Sequence, residues 1–131
     1  MIVQNSPIYL PYTELKKYRQ ILKDYGYELV RDNSRKHEYY YYDQKLYAMI
    51  EHKDEGFCVN IVPLCFDKSH RTHVIVYPER TIIGNKEFTC YKYYCDYVEN
   101  EKDCIKKMIN QIELLKKEKN YREIEKIKFD F

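Results

Sequence analysis

Three groups of side chains in this sequence have the types and spacing for chemistry. The first is Cys65, His70 and His73, in a polar stretch between two hydrophobic runs. A thiolate and two imidazoles are good zinc ligands, and one loop can present them together. Their spacing fits none of the common zinc patterns, and a fourth ligand has to come from Asp67, Glu79 or a distant cysteine. Polar loop residues beside a buried thiol explain the same group more simply. The five cysteines form no C-x-x-C pair and read as reduced small hydrophobes. A nucleophilic cysteine needs a histidine, a cation or a helix N-terminus beside it. Cys58 and Cys95 lie in strand patterns and Cys104 lies past the first residues of a helix, with no such signature around them.

The second group is Glu51-His52-Lys53, with Asp43 as the candidate acid upstream. Over this short stretch the chain resembles the E-x-K half of the PD-(D/E)xK nuclease signature. The resemblance implies a divalent ion held by Asp43 and Glu51, with Lys53 orienting or activating water. Asp43 falls in a turn and lacks the proline of the signature. In a chain with 34% charged residues, a solvated strand end is the simpler reading of these residues.

The third group joins a basic turn to a run of aromatics. Arg31, Arg35, Lys36 and His37 precede Tyr39-Tyr40-Tyr41-Tyr42, and a second cluster holds Tyr91 and Tyr94. Side chains alternate along a strand, so Tyr39 and Tyr41 share one face and Tyr40 and Tyr42 the other. Basic groups beside exposed aromatics suit nucleic acid, the cations meeting phosphates while bases stack. The net charge is only +2, however, and no zinc-finger, helix-turn-helix or RRM-type signature is present. Tyrosines left exposed on a sheet suit protein binding better, because each gives a large amphipathic contact at modest entropic cost.

The elements that must position these groups follow from pattern. Residues 1–11 read as an extended lead, or an edge strand limited by Pro7 and Pro11. A helix follows from Tyr12 or Thr13 to Tyr25, with Leu15, Tyr18, Ile21, Leu22 and Tyr25 as its apolar stripe. Thr13 suits its N-cap and Gly26 its C-terminal stop. Strands are expected over 27–30, 39–42, 46–52 and 57–62, joined by turns at 43–45 and 53–56. Thr72–Tyr77 reads as a strand stopped by Pro78, and 79–86 as a loop or small hairpin around Gly84-Asn85. Phe88–Val98 reads as one long strand with Tyr91, Tyr93, Cys95 and Tyr97 toward the core. Asn100 N-caps a last helix whose buried stripe is Ile105, Met108, Ile109, Ile112 and Leu115, fraying near Lys119-Asn120. Beyond it, 121–131 fits either helix or strand.

These elements predict an α+β fold over 1–131: an N-terminal helix, a mostly antiparallel sheet of four to six strands, and a C-terminal helix on the same sheet face. With two helices covering one face, roughly half the strand tyrosines are left for the other, since strand side chains alternate. The 131 residues suffice for a core without metals or disulfides. No apolar run reaches membrane-spanning length, and Met1–Pro7 has no signal-peptide character, so a cytoplasmic protein away from the membrane is expected. The function expected is a small non-enzymatic protein-binding module without cofactors, an adaptor or stoichiometric inhibitor. Another protein or a second copy is its partner, and Tyr39, Tyr41, Tyr91, Tyr94, Arg31, Arg35 and Lys36 its contact residues. Its size and AT-rich-type composition fit a phage or mobile-element factor directed at a host defence complex. The alternatives are nucleic-acid binding through the 31–37 turn, and the nuclease reading of Asp43, Glu51 and Lys53.

Overall fold

The computed structural model describes residues 6–30 and 36–129. A short 3-10 turn over Tyr12–Glu14 leads into helix α1, Leu15–Asp24. No side chain caps its start, so Thr13 does not play the role its sequence position suggests. The other end stops as expected. Gly26, at φ +92°, lets its own N–H reach the Lys23 carbonyl and that of Tyr27 reach the Leu22 carbonyl, the paired bonds of a Schellman motif.

Four antiparallel strands then form a meander in the order β1 (Glu28–Val30), β2 (His37–Tyr42), β3 (Lys45–His52), β4 (Phe57–Ile61). Asp43 and Gln44 both have positive φ between β2 and β3, as a type I′ hairpin turn requires. The outer edge of β4 is closed by two pieces of chain. Leu10 exchanges backbone bonds with Phe57, and 96–98 runs antiparallel to Val59–Ile61, its N–H and C=O groups bonding theirs. Gly56 lies so near the first of these that a Cβ there would sit 2.4 Å from the Leu10 oxygen.

Both helices cover one face of this sheet. Tyr18 and Leu22 of α1, together with Cys104 and Met108 of α2 (Glu101–Phe129), pack with Tyr40, Ala48, Ile50, Phe57, Val59 and Ile61 in one core. Asn100 caps α2 as its sequence predicts, its side-chain oxygen accepting the Asp103 N–H at 2.9 Å, while Asp103 accepts the Glu99 N–H. The expected fraying at 119–120 does not occur; helix continues to Phe129. Its buried line also differs from the predicted stripe. Cys104, Met108, Gln111 and Glu118 are buried, whereas Ile109 is exposed. The buried positions follow a 4-3-4-3 spacing through Leu115, one face of a helix.

Gln111 is one of two polar residues in that line, with Glu118. Its amide nitrogen donates to the carbonyls of Tyr47, at 2.9 Å, and Val62, at 2.7 Å, and its oxygen accepts the Tyr27 hydroxyl at 2.5 Å. The Tyr47 carbonyl also accepts the Val62 N–H at 2.9 Å, and it lies where β3 is irregular. Tyr40 pairs with Ala48 but Tyr41 with Leu46, so Tyr47 is an extra residue, a β-bulge. Burial raises the Tyr27 hydroxyl pKa, with the Tyr42 and Cys104 charges adding to it, so Tyr27 remains a donor.

Two ribbons follow the sheet. β5 (Leu64–Phe66) pairs with β6 (Thr72–Val74), and β7 (Val76–Ile83) pairs with β8 (Lys86–Tyr93). Glu118 anchors the first ribbon to α2, accepting the Thr72 N–H at 2.6 Å and the Thr72 hydroxyl, and His70 stacks on Tyr121. The second ribbon is an arm. The predicted strand over 72–77 is instead split at Ile75, and β7 runs through Pro78. The predicted strand over 88–98 ends at Tyr93, so Tyr91 does not face the core. It is exposed on the arm, because β8 pairs with β7 alone and leaves the body. Among the described residues, no helix is long and apolar enough to cross a membrane.

Gln111→Leu removes the side-chain donor from the Val62 carbonyl, one of two donors from the Tyr47 carbonyl, and the acceptor from Tyr27. It is expected to lower unfolding stability by about 2–4 kcal/mol, read as a reduced urea midpoint at unchanged slope. A loss below about 0.5 kcal/mol, the size of a surface substitution, would show that the clamp is dispensable.

Candidate functional site

The bulge at Tyr47 decides which side chains share the outer sheet face. In an unbroken strand Leu46 would point the same way as Ala48 and Ile50, into the core. The extra residue turns Leu46 to the opposite face, where it joins Met49, Tyr39 and Tyr41. These four, with Val62 and with Val74 from β6, line an open groove of about 500 Å³. Tyr39, Tyr41, Leu46, Met49 and Val74 are all half-buried. Tyr40 and Tyr42 point the other way: Tyr40 is buried in the core and Tyr42 packs on Tyr27 with ring centroids 5.2 Å apart.

The remaining predicted binding residues lie near this groove or beyond it. Val74 ends β6 at one wall, and the arm departs two residues later. Tyr94 sits at the arm's root, half-buried against Tyr77 with centroids at 4.8 Å, its N–H donating to the Ile75 carbonyl. Tyr91 stands further out. Lys36 lies in the turn just before β2, where its carbonyl accepts the His52 N–H. Arg31 and Arg35 lie outside the described residues.

The nuclease set is not brought together. Asp43 lies in the turn before β3 and Glu51 at the strand's far end, more than about 20 Å away at roughly 3.3 Å per residue. Metal ligands must converge within a few ångströms. Glu51 instead lies 3.8 Å from His37, and Lys53 belongs to the following turn, its N–H donating to Gly56. The metal set is split as well. Cys65 and His73 face each other across the β5–β6 ribbon, with His73 on Asp67, but His70 turns away to stack on Tyr121, with Phe66 edge-on to it. Among the described residues no group of three or more His, Cys, Asp or Glu is placed to hold a metal ion. Burial pushes the Cys58 thiol up and, with the neighbouring Asp103 charge, the Cys104 thiol to about 12. Both are protonated at neutral pH, the reverse of nucleophile activation.

Sequence reasoning missed a polar cluster on the helix-covered face. Glu38, next to the tyrosine run, receives two N–H groups of the Arg19 guanidinium, from Nε at 2.9 Å and Nη2 at 2.6 Å, the Tyr40 hydroxyl at 2.9 Å and the His52 ring N–H. Tyr12 stacks on His52 and donates its hydroxyl to the Lys53 carbonyl. Burial works against the Glu38 charge, but the bonds from Arg19, His52 and Tyr40 outweigh it and lower its pKa. The only sequence signal was the parity of Glu38 with Tyr40, which puts a carboxylate on the core face. The cluster fixes α1 across β2 and β3, and so holds the strand that carries Tyr39 and Tyr41.

A depressed carboxylate pKa contributes stability above its unfolded value and loses it as pH falls through the folded one. Glu38→Gln is therefore expected to cost about 1.5–3 kcal/mol at pH 7, the range for hydrogen bonds to a charged group. The gap from wild type should narrow as pH drops below the ordinary glutamate range. Urea melts of both proteins between pH 7 and 3 test this; a gap independent of pH would remove the charge from the explanation.

Comparison with known protein families, with characterised proteins and with solved structures finds no match to this chain.

Proposed function

We propose that this protein is a non-enzymatic protein-binding module, acting as an adaptor or stoichiometric inhibitor, and that the Tyr39/Tyr41 groove receives an apolar segment of its protein partner. The observation that supports this reading is the groove itself. Two tyrosines, Leu46, Met49, Val62 and Val74 line it on the sheet face opposite both helices. Tyrosine presents an apolar ring with a polar tip and is enriched among energetically dominant interface residues. Methionine is unbranched and adapts to an irregular partner surface. A volume of about 500 Å³ admits one or two partner side chains. The rigid sheet behind it is held by the Glu38 cluster and the Gln111 clamp, so little order has to be gained on binding.

Tagged protein recovered from its native host under non-denaturing conditions tests the reading. Wild type is expected to retain one protein in near-stoichiometric amount, and Met49→Glu and Tyr41→Ala to lose it while melting within a few degrees of wild type. Truncating an interface tyrosine of this kind weakens binding by about 2 kcal/mol or more, roughly thirtyfold. Retention unchanged in both variants, or retention of nucleic acid alone, would contradict it.

A further inference from the structure

The β7–β8 arm carries exposed apolar side chains on both its faces. Ile82 is 75% exposed and Tyr91 71% on one, Ile83 66% and Phe88 46% on the other. A two-stranded ribbon is marginal in water by itself, and this one pairs with no other strand in the described chain. Its two edges differ. The turn Gly84-Asn85 is two residues long, so the flanking pair Ile83–Lys86 exchanges backbone bonds, and bonded pairs alternate with non-bonded ones from there. Thr81–Phe88, Glu79–Cys90 and Tyr77–Lys92 are then bonded, while Ile82–Glu87, Arg80–Thr89 and Pro78–Tyr91 are not. Pro78, which has no N–H, falls at a non-bonded position, as its chemistry requires. The outer edge of β7 is interrupted by that proline. The outer edge of β8 presents the backbone groups of Glu87, Thr89 and Tyr91 without a break, an open template for another strand.

We propose that a second copy of this chain occupies the β8 edge, antiparallel across a two-fold axis centred on Cys90, forming a four-stranded sheet from two arms. Opposed residues in such a pair must share a face, so the axis passes through a residue. Two registers overlap nearly all of β8. The one centred on Thr89 sets Lys86 against Lys92. The one centred on Cys90 sets Phe88 against Lys92, a cation–π pair, and Thr89 against Tyr91, an aromatic–β-branched pair. In that register the outward N–H and C=O groups of Thr89 and Tyr91 bond those of the second copy, and Cys90, an exposed free thiol, meets Cys90 of the partner subunit. Charge permits the approach. Within the arm Glu79 pairs with Lys92 at 2.7 Å and Arg80 with Glu87 at 3.5 Å, leaving only Lys86 over. This association is separate from the groove.

The purified full-length chain tests it directly. Sedimentation over a dilution series is expected to show a reversible dimer, and a short bismaleimide to join two chains through Cys90 as mapped by peptide mass. Thr89→Pro removes an outward donor while sparing the β7 ladder, and should weaken the dimer about thirtyfold, the equivalent of two lost backbone bonds. Arg80→Pro, on the β7 edge, should leave it intact, as should Met49→Glu in the groove. A monomer at every concentration, cross-links that avoid Cys90, or equal dimerisation of Thr89→Pro and wild type would overturn the proposal.

Discussion

The side-chain amide of Gln111 joins three pieces of chain at one buried point. Through it α2 holds the Tyr47 carbonyl at the β3 bulge, the Val62 carbonyl beyond β4, and the Tyr27 hydroxyl just after α1. Buried carbonyls need donors, and an unmet one costs about 1–3 kcal/mol. The Tyr47 carbonyl at the bulge is met by the Val62 N–H as well as by Gln111, and the Val62 carbonyl is met by Gln111. Gln111 makes these bonds from the middle of the buried helix line that runs from Cys104 to Glu118. Because the bulge persists, Leu46 leaves the core face and the outer groove exists.

A second constraint acts on the same sheet from the other helix. Arg19 of α1 reaches Glu38 of β2, which also gathers Tyr40 and His52. Both devices lie on the covered face and both fix strands whose other side is open. Polar satisfaction inside the protein thus sets the shape of an apolar surface outside it. The arm is organised differently: among the described residues it has ladder bonds and two cross-strand ion pairs but no layer packed on either face. Groove and arm meet near Val74 and Ile75, where the chain passes from the docked ribbon to the projecting one.

Much of this architecture is legible in the sequence. Helical spacing locates both helices, Gly26 and Asn100 mark a stop and a start, and alternation divides Tyr39 and Tyr41 from Tyr40 and Tyr42. What is not legible depends on contacts distant in sequence. Alternation alone cannot reveal the extra residue at Tyr47, since a bulge is defined by the partner strand. Gln111 looks like surface until the spacing from Cys104 to Glu118 is counted. Tyr91 alternates as a core residue does, yet it is exposed because its strand has a single neighbour. The spacing of Cys65, His70 and His73 left their geometry open, and only the positive φ of His70 with its stack on Tyr121 draws the third ligand away.

The most direct measurement of the central claim is site-specific photo-crosslinking in the native host, with a benzophenone side chain at position 41 or 49 and, as reference, at exposed position 106 on α2. A groove that binds a protein partner yields the same discrete adduct from positions 41 and 49 and none from 106. Adducts of equal yield from all three positions, or none from 41 and 49, would contradict the assignment of the tyrosine-lined face as the binding surface.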